Sequence, residues 1–418
     1  MAYTRKFNYT RYSISESGDQ IALGPETFVG PLPRIFWGNG VEWAEASLYL
    51  AARADVIPEG FGSTDALASH AKHLKAYADF IESNDDLEWD KFGARRRQRP
   101  TYRFRGYLIK CRDEVGDLAP STVTNRIRSV KAFYQWILAN KILFPEYDVY
   151  EPRTAKIRIA RWHGINDAIT VHSSDLAIPN RTRSRNGVEG GLLPLSLEHR
   201  NLALSLARKY CTEEFALALE LGFYTGMRIG SIIDIKVETI EMAKPSRDLP
   251  GYYELAIGPA HNVQTKGDVN YHPAIPTGIL RKLNDYICGV KRSIRKAKAQ
   301  ESGSNANLVF ITRRGARYTV TSWQHEMNKL RALALARGVD LSEFYFHCTR
   351  ATFGTLLVAA MLSQPTAKTV NILATIKRLM GHAHERTTLE YVKWVETRES
   401  IGALVDEYGE TLFGPASE

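Results

Sequence analysis

The chain has 418 residues, a formal net charge of +9 and 44% hydrophobic residues, enough for two or three domains with real cores. It has no apolar run of the roughly 18 residues that a helical membrane span needs, and the start MAYTRKFNYTRYS lacks the apolar centre of a secretory signal. Cys111, Cys211, Cys288 and Cys348 lie far apart and form no ligand pair, so they read as reduced thiols of a cytosolic protein; the cationic excess suits a polyanionic partner.

Residues 1–58 are rich in Gly and Pro and carry one expected helix, 41–53, with Phe36, Trp37 and Trp43 expected to pack against the following domain. Residues 59–147 read as helical. Helices are expected at 63–83, 101–114 and 121–140, the last with Val123, Ile127, Val130, Tyr134 and Ile137 on one buried face. Ser121 is the expected N-cap of that last helix. A basic group, Arg95, Arg96, Arg97, Arg99, Arg103, Arg105 and Lys110, lies beside Tyr102 and Phe104, and Arg126, Arg128 and Lys131 share the polar face of the last helix. Such density, interleaved with aromatics, points to phosphate-backbone contact.

Residues 148–193 are punctuated by Pro, Ser, Asn and Gly, with Arg181, Arg183 and Arg185 close together, and read as a basic connector between domains. A second helical domain, 194–418, opens at Ser196, a cap with Glu198 behind it. In EEFALALELGFYTGMRIGSIIDI the residues Phe215, Ala218, Leu219 and Gly222 recur on one helical face. Thr225-Gly226 stops that helix, and a new one opens near Arg228, whose first turn favours an anion. YYELAIGPAHNVQTKGDVNYHPAIP reads as two strands, 252–257 and about 270–275, around a turn that carries Lys266.

The last stretch is the densest. His347 and Arg350 in HCTR stand three apart, on one helical face, where a guanidinium fork and an imidazole can address the same small anion. LMGHAHERTTLEYVKW then supplies His382 and, nine residues later, Tyr391, a candidate covalent nucleophile. His382, His384 and Glu385 do not make a metal motif, since residues two apart do not share a helix face and no H-E-x-x-H or C-x-x-C partner exists. A helix at about 398–408 has Ile401, Leu404 and Val405 on one side.

The segments TGMR, QTKGDVNYHPAIP, HCTR and LMGH followed by TLEY, carrying Arg228, Lys266, His347, Arg350, His382 and Tyr391 in order, resemble the tyrosine recombinase (phage integrase) family over about 195–400. STVTNRIRSVKAFYQWI is similar, more weakly, to the helical core-binding domain of integrases. The resemblance implies a mainly α fold with a small β-sheet (α+β), a helical core-binding domain and a larger catalytic domain. It implies cleavage and rejoining of double-stranded DNA at specific sites through a 3′-phosphotyrosine, with no metal, no ATP and no other cofactor. Arg228 and Arg350 would clamp the phosphate, His347 would be the base, Lys266 the acid on the leaving 5′-oxygen, and His382 a donor to a non-bridging oxygen. It further implies a homotetramer on DNA joined by exchange of the C-terminal helix, a cytoplasmic, nucleoid-associated location, a mobile genetic element, no membrane and no small-molecule substrate.

Three positions depart from the family pattern. Ser231 stands where an acidic residue usually follows the first Arg, Ala351 where a second His usually follows the second Arg, and the interval from His347 to Tyr391 is longer, with the excess near MLSQPTAKTVN. Two alternatives stay open: a type IB topoisomerase, which shares the catalytic set but reseals the same strand, and a non-catalytic DNA-binding protein on the same scaffold.

Overall fold

The computed structural model describes residues 1–10, 12–14, 20–22, 28–56, 65–160, 166–179, 187–247, 249–301, 305–363, 369–382 and 385–396. The chain divides into two units, Met1–Thr182 and Arg183–Glu418. It is mainly helical with small antiparallel sheets, the expected fold class. No helix among the described residues is long and apolar enough to cross a membrane.

The first unit begins with strands. β1 (Tyr3–Thr10) pairs antiparallel with β4 (Phe28–Phe36), and β2 (Tyr12–Ile14) with β3 (Gln20–Ala22). The sequence pattern hides this sheet because Pro31 and Pro33 interrupt β4; they pair opposite Asn8 and Lys6 in a two-stranded sheet that has no inner ladder to break. Tyr3 stacks on Phe36 at 5.2 Å. Helices α1 (Ala44–Asp55), α2 (Asp65–Glu82), α3 (Pro100–Lys110) and α4 (Pro120–Ala139) follow. α3 runs into a π turn at Cys111–Val115, ended by Gly116 at φ 75°. The cap of α4 is Ala119 rather than Ser121, with Pro120 at the first helical position, where its fixed φ suits the helix and its missing N–H costs nothing.

Trp43, Tyr49, Tyr77, Phe104, Phe133 and Tyr134 fill the core of these helices. Residues 1–56 therefore share a core with 65–139, Trp43 within it and Trp37 packed against it. The Tyr134 hydroxyl donates to the carbonyl of Trp89 at 2.5 Å, so at its 2.8 Å contact with Tyr77 it must accept. Within 148–193 the chain forms a second hairpin, β5 (Pro152–Ala160) with β6 (Asn166–Ser174), and the division between the units falls after it.

The second unit is built on two helices buried on nearly all sides. After α5 (Leu197–Tyr210), capped by Ser196 accepting from the His199 amide at 3.1 Å, comes α6 (Glu213–Thr225). The other buried helix is α12 (Cys348–Leu362). Between them lie α7 (Ile229–Asp234), α8 (Val237–Glu241), the three-stranded sheet β7 (Lys244–Pro245), β8 (Tyr252–Glu254) and β9 (Ala274–Pro276), then α9 (Thr277–Cys288), α10 (Val290–Glu301) and α11 (Gln324–Leu335). α13 (Thr369–Met380) and α14 (Glu385–Glu396) close the described chain. A Cβ on Gly222 would lie 2.5 Å from Thr349 Oγ1, so the absence of a side chain there sets how near α6 and α12 approach. Arg292 and Arg295 of α10 are buried and donate to the carbonyls of Leu308, Val309 and Ile311, so the basic look of that helix is partly structural. The expected helix at 398–408 lies outside the described residues.

Candidate active site

α6 ends on Gly226 in the left-handed conformation, φ 65°. A Cβ there would lie 2.5 Å from the Phe353 ring, and the Gly226 carbonyl accepts from Arg350 Nη1 at 2.7 Å. The turn thus delivers Arg228, the N-cap of α7, and fixes Arg350 of α12 in one stroke. His347 is the N-cap residue of α12. His382 follows Gly381, whose φ of 60° ends α13 and whose Cα faces the Tyr271 ring at a distance that leaves no room for a Cβ.

These four side chains meet at a residue outside the sequence-predicted set, Glu189. Its carboxylate accepts from Arg350 Nε at 2.9 and 3.1 Å and from His382 Nε2 at 2.9 Å. His347 Nε2 lies 3.3 Å from Oε2, and Arg228 Nη2 3.9 Å from Oε1. The Glu189 side chain is 6% exposed and that of Arg350 fully buried. Burial pushes the Glu189 carboxyl up, but hydrogen bonds from His347 and His382 and the charge of Arg350 outweigh it and hold the group far below the usual carboxylate range. At about 4 Å and an effective dielectric of about 20 an ion pair contributes about 4 kcal/mol, which explains why buried cationic groups gathered this closely need an anion among them. Two arginines this close need a counter-ion, and the Glu189 carboxylate supplies it. The sequence carries no signal for this residue, because VEGG reads only as a turn.

Thr388 likewise carries no sequence signal of its own. Its hydroxyl lies 2.8 Å from His382 Nδ1. With a carboxylate on Nε2, the consistent assignment has Nε2–H donating to Glu189 and Nδ1 accepting from Thr388. Burial, more than any neighbouring charge, keeps this imidazole below its ordinary value, so it acts as a neutral donor.

Tyr391 is fully buried, its ring stacked on His382 at 5.6 Å between centroids. A Cβ on Gly354 would lie 2.4 Å from its Cε1, so α12 holds open the slot for the ring. The phenol hydroxyl has no hydrogen-bond partner among the described residues. Burial first, and the negative charge of Glu189 second, push its pKa well above the ordinary phenol value, against the pull of Arg350 and Arg228.

Lys266 stands on the Thr265–Asp268 turn, outside the group around Glu189. The strands behind it are shorter than expected, with one further bridge from Ile257 to Tyr271. Ser231 Oγ donates to the Gln264 carbonyl at 3.0 Å, and Asp234 accepts from the Gln264 amide at 2.7 Å. The position without its usual acid thus still ties α7 to the loop that carries Lys266. Ala351 is buried in the core beside Phe353 and Leu357.

In the first unit, Arg95, Arg97, Lys110 and Arg128 are exposed, and Arg126 and Lys131 are at the surface of α4. Arg99 is buried and donates to the carbonyls of Gly93 and Ala94. Arg96 pairs with Glu151, Arg103 with Asp86, and Arg105 donates to the Ala177 carbonyl. No group of His, Cys, Asp and Glu among the described residues is arranged to hold a metal.

Residues 203–398 match the model of the phage integrase family. Among solved structures, the chain is similar to the XerH site-specific recombinase bound to a palindromic difH substrate (15% identity, 82% of this chain and 80% of that one, TM-score 0.48). It is also similar to the Tn1549 transposon integrase with a circular intermediate DNA (12%, 83% and 94%, 0.47) and to a lambda integrase dimer bound to a COC′ core site (14%, 85% and 96%, 0.46). A search of curated proteins gives no match. The second unit therefore carries a phage integrase domain, over residues 203–398.

Proposed function

We propose that the chain is a site-specific DNA recombinase that breaks and rejoins strands through a covalent 3′-phosphotyrosine. One observation carries this reading: Arg228, His347, Arg350 and His382 converge on a single buried anion, with Tyr391 packed against His382. A phosphodiester repels an attacking oxyanion, and a fixed set of cationic and neutral donors removes that repulsion as charge builds in the transition state. Arg228 and Arg350 neutralise the non-bridging oxygens, and His382 Nε2–H donates to one of them. His347, whose side chain is 40% exposed, takes the phenolic proton. The Tyr391 oxygen forms its bond to phosphorus while the bond to the 5′-oxygen breaks, and Lys266 protonates that leaving oxygen. Attack by a 5′-hydroxyl of another strand reverses the sequence and frees Tyr391, so the phosphodiester is conserved without ATP. Two duplexes of two strands need four tyrosines, hence a homotetramer on DNA.

The first unit, with its helical segment 59–147, would hold the duplex through phosphate contacts from Arg95, Arg97, Lys110 and Arg128. Integration or excision of a mobile element is the process such an enzyme serves.

The test is a covalent adduct on denaturing gels after incubation with its flanking DNA in the presence of a chelator. Wild type is expected to form it. Tyr391→Phe is expected to bind DNA with little change and to form none. An adduct with the Phe variant overturns the nucleophile, and relaxation of supercoiled plasmid without strand exchange places the chain with strand-resealing enzymes instead.

A further inference from the structure

Nothing in the proposed chemistry requires an acid where Glu189 sits. Its carboxylate takes the donors of Arg350 and His382 and stands against His347 and Arg228, the same side chains that the proposed reaction gives to a phosphodiester. Two anions cannot share that place, because the second would meet a full negative charge at contact distance in a buried site.

We propose that Glu189 is a built-in stand-in for the phosphate, an intramolecular latch that keeps the site closed until DNA displaces it. The inference rests on the reading of this cluster as a phosphate site.

Three further features support it. The turn is constructed: Val188 and Leu192 exchange amide and carbonyl at 2.9 and 2.8 Å, and Val188 is buried in the core that contains Ala351 and Tyr391. A Cβ on Gly187 would lie 2.5 Å from the Gly191 carbonyl carbon, and Glu189 itself has φ 46°, a conformation that side-chain-bearing residues adopt at a cost. The fit is also incomplete. Arg350 Nη2 is buried without a partner among the described residues, so two carboxylate oxygens leave a donor idle that a phosphodiester, with more acceptor positions, can use. Finally, the latch disarms the nucleophile as well as covering its target, since the Glu189 charge helps to keep the Tyr391 phenol protonated.

The test uses the full chain and inorganic phosphate, compared with chloride at equal ionic strength. Glu189→Gln keeps the volume and removes the charge. It is expected to bind phosphate at least about tenfold more tightly than wild type, to melt lower in chloride with four donors uncompensated, and to regain that loss in phosphate. Glu189→Asp, which keeps the charge on a shorter stem, is expected to fall between the two. Should the Gln variant be unfolded in chloride, its recovery of a cooperative transition in phosphate gives the same answer, and failure to recover counts against the latch. The control is His347→Ala, made in both backgrounds. Equal phosphate affinity in wild type and Glu189→Gln, weakened in each by His347→Ala, overturns the latch and leaves the phosphate site standing. Phosphate binding that is absent from the Gln variant, or indifferent to His347, overturns the phosphate site itself.

Discussion

The Glu189 carboxylate, which can only accept, sets the tautomer of His382 with the proton on Nε2, and Thr388 completes it by donating to Nδ1. Its hydroxyl, buried and 2.8 Å from Nδ1, stabilises the tautomer whose Nε2–H points at the anion. Thr388→Val preserves the shape and removes that bond, leaving a ring nitrogen without its donor at a cost of about 1–3 kcal/mol. The expected outcome is single-turnover cleavage slowed about tenfold or more, with DNA affinity little changed. Measuring both on one duplex checks it, and a parallel fall in affinity would mean that Thr388 only supports the fold.

At the scale of elements, α12 is the frame. It holds Arg350 on one side and, through Gly354, leaves the slot for Tyr391 on another. Gly354→Ala puts a methyl carbon 2.4 Å from the ring. The strain is expected to cost about 1–3 kcal/mol of stability and to abolish adduct formation while the fold persists, checked by urea denaturation beside the gel assay. Much of this frame was legible. The apolar recurrence in α6 and α4, the stop at Gly226 and the cap at Ser196 announce themselves because each rests on local spacing and backbone preference. What was hidden depends on residues distant in the chain. β4 contains two prolines and becomes a strand only through its pairing with β1, and Glu189 stands in an ordinary-looking turn until α12 and His382 are brought to it.

At the scale of the whole molecule, the cationic excess is unevenly employed. Arg99 is bonded to carbonyls of its own chain and Arg96 and Arg103 are paired with acids, whereas Arg95 and Arg97 are exposed. Replacing Arg95 and Arg97 by Ala is expected to lower the slope of log affinity against log salt by about one unit for each DNA phosphate left unneutralised, while Arg99→Ala is expected to lower the melting temperature. Filter binding across a salt series separates the two, and an unchanged slope in the double variant would make that patch ordinary solvated surface.

The bond from Arg350 to the Gly226 carbonyl has a consequence for how one anion replaces another. A guanidinium tethered on one edge cannot swing away when its guest departs, so the socket persists between occupants. Displacing Glu189 then leaves the arginine side of the socket in place, and the barrier falls on moving the Val188–Leu192 turn and on the incoming ion, which must shed its water. Anions should therefore compete for this site in the order of their dehydration cost as well as their charge.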